Sequence, residues 1–152
     1  MDVFSYTREA THCFVERRFL ACIAMASTAV EIILNRDRRL RTLPNFKSSD
    51  GWAYLNNRTL RIAGDNGLPS NALLSPGDEL DSKVPIVFVQ IRNKVVHGEI
   101  GNLVSDLSDY DPGAEQIATR HGTKMRNFVS EWFNTAPDVQ EGHIRNNQWP
   151  ED

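Results

Sequence analysis

Phe19-Leu20-Ala21-Cys22-Ile23-Ala24-Met25-Ala26-Ser27-Thr28-Ala29-Val30-Glu31-Ile32-Ile33-Leu34 is the longest apolar run in the chain. Within it Phe19, Ile23, Ala26, Val30 and Ile33 recur at three- and four-residue spacing, with Leu34 adjoining. That spacing draws one apolar stripe down a helix. Beside it run Ala21, Ala24 and Thr28, small residues that let a second helix approach, and then Glu31. No Gly or Pro precedes Pro44, so the pattern predicts one long helix from about Thr7 to Arg39. The run is shorter than the roughly 20 apolar residues of a membrane span. It carries Glu31, and Arg17, Arg18 and Arg36 flank it. It also begins behind too many charges for a secretory signal. The expectation is a cytoplasmic protein with no membrane partner.

Outward from this helix the remaining pattern is helical too. Segment 42–50 reads as a loop from its Pro, Asn and Ser content. Asp50 is a plausible cap for a second helix from about Gly51 to Ala63, which runs into Gly64-Asp65-Asn66-Gly67 turn chemistry. After a Pro- and Gly-rich loop over 64–79 comes the β-branched stretch Ser82 to Gly98. On propensity alone it reads as a buried strand. Ser82 as N-cap, Pro85 in a first turn and Gly98 past the end favour a helix. A last helix from about Gly113 to Asn134 turns Ile117, His121, Met125, Phe128, Val129 and Trp132 inward. The expected fold is all-α, a bundle of four to five helices over residues 1–136. Residues 137–152 are expected to form a polar, mobile tail.

The chain's 152 residues, 40% hydrophobic and 24% charged, suit one domain with its own core rather than a disordered chain. Cys13 and Cys22 are too few for a disulfide framework. Nine apart on one helix they would face opposite sides, so both are expected as small apolar packers in a reducing compartment. The net charge of −3 conceals an asymmetry. Residues 1–62 hold ten bases against six acids, and residues 63–152 hold seven against fourteen. The densest basic cluster is Arg36, Arg38, Arg39 and Arg41. It reads either as a solvated helix end, where cations favour the dipole, or as a phosphate-contacting patch.

One stretch carries chemistry: Arg92-Asn93-Lys94-Val95-Val96-His97-Gly98. On a helix Asn93 and His97 stand one turn apart on one face, and the long Arg92 side chain can reach the same cleft. An imidazole in a last helical turn is biased towards its charged form. Such a group can take a proton from a ribose 2′-hydroxyl or give one to a leaving 5′-oxygen. A neighbouring guanidinium stabilises charge building on the phosphorane. No His-x3-His or Cys-x2-Cys pair is present, so neither a metal nor another cofactor is expected.

Arg92, four residues beginning with Asn93, then His97 and Gly98, resembles the signature of the HEPN superfamily (higher eukaryotes and prokaryotes nucleotide-binding). The layout is similar as well, with an Ala-rich first helix ending in Glu31 and Gly67-Leu68-Pro69 ahead of the motif helix. A final helix ends in aromatics. The resemblance spans about residues 7–135 and is closest to the lone prokaryotic type. It implies a small helical bundle that forms a homodimer, with two Arg/His pairs meeting in one composite ribonuclease site. It implies RNA as substrate, and a toxin or antiphage-defence setting with a neutralising partner. Carried over, Arg92 binds phosphate, His97 is the acid and base, Asn93 orients them, and Glu31 is a supporting acid. Lys94 and the Arg36–Arg41 cluster become candidate RNA contacts.

One position departs from a subgroup of that family. Where members paired with a nucleotidyltransferase antitoxin carry Tyr two residues after the His, this chain has Glu99. That argues against this particular pairing. The residues also allow a purely structural role, with His97 and Gly98 closing a helix and Arg92 paired to an acid such as Glu31. The alternative function is a non-catalytic helical dimer that binds a protein, nucleic acid or nucleotide.

Overall fold

His12-Cys13-Phe14-Val15-Glu16-Arg17-Arg18 contains no Gly or Pro, yet the chain breaks its helix there. The computed structural model describes residues 2–96 and 112–136. In it the expected long helix is two, α1 (Val3–Val15) and α2 (Phe19–Arg36). Arg17 takes a left-handed conformation at φ 62°. The Arg18 amide donates to the Cys13 carbonyl at 2.7 Å, and the Arg17 amide to the Phe14 carbonyl at 3.0 Å. These two bonds are the Schellman closure, here with Arg where Gly is usual. Two contacts hold Arg17 in place: its guanidinium lies over the Phe19 ring and reaches Glu115 at 3.5 Å. Cys13 and Cys22 therefore sit on two adjacent helices instead of one, both buried and unpaired.

The single turn α3 (Arg38–Arg41) follows, capped by Asp37. The second helix begins later than its sequence signals suggest. It is α4 (Asn57–Asp65), opened by a capping box between Asn56 and Thr59, and Asp50 instead accepts from the Trp52 amide. A 3-10 turn at Ser70–Leu73 leads towards α5 (Val87–Val96). Ser82 does not cap α5. Its hydroxyl accepts from the Val84 amide, while Asp78 accepts from Val87 and Asn57 from Ile86. α6 (Pro112–Thr135) closes the bundle. The described residues are all-helical, with no strand. The β-branched run resolves as helix because Phe88 and Val89 bury against a helical neighbour, not a sheet.

α2 is the centre, packed by α1, α5 and α6. It is long and apolar enough to cross a bilayer, and here 61% of it is buried within the protein. Phe19, Phe46, Phe88 and Phe128 are enclosed entirely, each worth about 1.5–3 kcal/mol of burial. On α6, Met125, Phe128, Val129 and Trp132 face inward as their spacing predicts, and Ile117 is half-buried against the core. Asp37 ties the C-terminal ends of α2 and α6 together. It accepts from the Trp132 indole at 2.8 Å and pairs with Arg39 at 3.0 Å. Burial alone would raise its carboxyl, but these hydrogen bonds outweigh that and hold it below the usual range.

His121 is the buried polar group of this core. Its ring stacks on Phe88 at 3.8 Å, nearly parallel. Ser27 Oγ donates its one proton to the Ile23 carbonyl, so at 2.7 Å it must accept from His121 Nε2. That assigns the proton to Nε2 and leaves Nδ1 a bare acceptor with no partner. Burial, then the charge of Lys124, pushes the imidazole down to about 3. The unfolded chain takes up a proton near pH 6.5 that the folded chain refuses, so this contribution is complete above pH 6.5 and lost as pH falls. We expect urea unfolding to show about 2 kcal/mol less stability at pH 5 than at pH 7 from this group. His121→Asn should lack that component, and an unchanged pH slope in the variant would refute the assignment.

Candidate functional site

Arg92 and Asn93 sit on the last turns of α5, and α2 is the surface they meet. Glu31, on α2, accepts at Oε2 from Arg92 Nη2 at 3.1 Å. The other arm of the guanidinium, Nη1, donates to Asn93 Oδ1 at 2.9 Å. The fork is therefore held at both tips, in the plane set by an acid and an amide. Both ends of the ion pair are largely covered, 16% exposed for Arg92 and 14% for Glu31.

The carboxylate is itself fixed by a segment that was expected to be helix. Residues 52–55 run instead as an extended strap across α2. Asn35, one turn beyond Glu31, donates to the Ala53 carbonyl and accepts from the Ala53 amide, both at 2.8 Å. Glu31 takes the Trp52 indole N–H on Oε1 at 2.8 Å and the Leu55 amide on Oε2 at 2.9 Å. Three donors thus converge on one carboxylate, and a buried amide side chain substitutes for a backbone partner. Helix formation from Gly51 loses to this capture by α2, since Gly51 lies at φ 85°, outside helical space.

Along the strap Ala53 and Leu55 are buried while Trp52 and Tyr54 are 37% and 41% exposed. The alternation has period two and puts both aromatic rings on the outer side. The Tyr54 hydroxyl donates to Asp50, which raises the phenol and lowers the carboxyl. The charges of Glu31 and Arg92 also act on Tyr54. Arg92 therefore lies beside two exposed, tethered aromatic side chains. Sequence reasoning missed Asn35, Trp52 and Tyr54 as parts of this site. The one available signal was the in-and-out alternation of Trp52-Ala53-Tyr54-Leu55.

The other residues expected at the site are spread more widely. Arg39 is engaged inside the fold, on Asp37 and on the carbonyls of Gly67 and Thr135. Arg36, Arg38 and Arg41 are exposed, at the end of α2 and on α3, and Lys94 is half-buried on α5. His97, Gly98, Glu99 and the tail from 137 lie outside the described residues. Among the described residues no group of three His, Cys, Asp or Glu could hold a metal. Compared with protein families, with curated proteins and with solved structures, the chain has no match.

The Glu31–Arg92 contact is open to a double-mutant cycle. Removing one partner alone strands a largely buried charge, so Glu31→Gln and Arg92→Gln should each destabilise the protein. The pair should show a coupling of about 1–3 kcal/mol in urea unfolding. A coupling near zero would mean that the two side chains do not share this bond in solution.

Proposed function

We propose that the chain is a metal-independent endoribonuclease of HEPN type that works as a homodimer. The observation that supports this best is the fork of Arg92 held between Glu31 and Asn93. Those are the acid and the amide that the family resemblance assigns to the arginine. Glu31 and Asn93 each take one N–H and fix the orientation of the guanidinium, which leaves its other three N–H groups to meet a phosphate without further ordering. In the proposed step a ribose 2′-oxygen attacks the adjacent phosphorus and the bond to the 5′-oxygen breaks. His97 takes the 2′-hydroxyl proton, and its counterpart on the second chain protonates the leaving oxygen. The products are a 2′,3′-cyclic phosphate and a 5′-hydroxyl. Arg36, Arg38, Arg41 and Lys94 serve as sequence-independent phosphate contacts. A toxin or defence role with a neutralising partner belongs to the same proposal.

A second reading draws on the same contact. Arg92 already has a carboxylate partner, which also suits a non-catalytic dimer that binds a protein, nucleic acid or nucleotide.

The two readings separate on RNA cleavage by the purified full chain in the presence of EDTA. The ribonuclease reading expects cleavage of structured RNA with cyclic phosphate ends. His97→Ala should lower the rate about 100- to 10,000-fold, the usual worth of a general acid–base group. If wild type and His97→Ala cut equally poorly at stoichiometric protein, the ribonuclease reading fails and the binding module stands.

A further inference from the structure

On another side of α5 the structure has a cavity of about 490 Å³, within the common range for small-molecule sites. Val87 and Ile91 from α5 and Ile117 from α6 give it an apolar wall, with Leu74 opposite on the loop after the 3-10 turn. Two cations also line it, the exposed Arg120 and the half-buried Lys124. Lys124 is anchored by a hydrogen bond from Nζ to Ser75 Oγ. Asp78, the acid whose charge acts on Lys124, accepts from the amides of Ser75 and Val87. The cavity therefore offers apolar surface and a net positive edge.

His121 also lines this cavity, with its Nδ1 enclosed by the fold and without a hydrogen-bond partner. The Ser27 contact fixes the proton on Nε2, so Nδ1 can only accept. The imidazole stays neutral through the physiological range, so the cations at this cavity are Arg120 and Lys124.

We propose that this cavity binds a small monoanion with an apolar body, such as an aromatic acid. The apolar body lies against Val87, Ile91 and Ile117, and the anion meets Arg120 and Lys124. The site is separate from the Arg92 face and does not depend on ribonuclease activity.

The dye 8-anilinonaphthalene-1-sulfonate has both features, an aromatic body with its anilino N–H and a sulfonate. N-phenyl-1-naphthylamine keeps the body and the N–H without the charge. Titrated into the folded full chain, the sulfonate dye should saturate at one per chain and bind at least tenfold more tightly than the neutral one. The double variant Arg120→Gln, Lys124→Gln should erase that preference and leave the neutral dye unaffected. Ile91→Trp, which fills the cavity, should abolish binding of both, with Leu74→Trp in its place if that variant does not fold. On binding, the Nδ1 nitrogen resonance of His121 should shift. Equal affinity for the two dyes, or undiminished binding to the filled variant, would overturn the proposal.

Discussion

The Glu31 carboxylate is the point on which the arrangement of this chain turns. It lies on the most enclosed helix of the bundle and accepts from an indole, a backbone amide and a guanidinium. Two donors come from the strap and one from α5, so one acid fixes the strap, α5 and α2 relative to each other. Charge-assisted hydrogen bonds of this kind are stronger than neutral ones, and coverage by the surrounding side chains shields them from solvent. Asn35, one turn on, locks the same strap without charge. Both positions lie on the face of α2 that packing with α1 and α6 leaves to the strap.

Much of the bundle was readable because its helices announce themselves by apolar spacing. α6 and the inward set Met125, Phe128, Val129 and Trp132 follow directly from period; α5 is a helix as expected, but it begins at Val87 and Ser82 does not cap it. The break at Arg17 was not readable. A left-handed residue is usually flagged by Gly, and here an arginine accepts that conformation because Phe19 and Glu115 hold its side chain. The strap was hidden for a related reason. The buried positions Ala53 and Leu55 satisfy backbone groups with side chains 18 and 24 residues away, a partnership that no local propensity encodes. At the site, the residue types around Arg92 were legible from the motif and the acid on the long helix. The aromatic pair beside them was not.

α5 is the element shared by both parts of the molecule that offer chemistry. Ile91 faces the cavity beside His121, and its neighbour Arg92, about 100° around the helix, faces Glu31. The helix is short, and its start is secured by side chains of other elements, Asp78 and Asn57, in addition to its own packing. Its position is thus defined at one end by the loop before it and along its length by α2.

The two cysteines turn the α1–α2 corner into a built-in reporter. Both thiols are buried, and burial raises them, Cys22 to about 11, so neither offers a thiolate at neutral pH while the fold is closed. They flank the left-handed turn at Arg17, one on each helix. Alkylation at either sulfur is therefore slow while the fold is closed, and its rate reports on opening of the packing around the hairpin that carries the central helix.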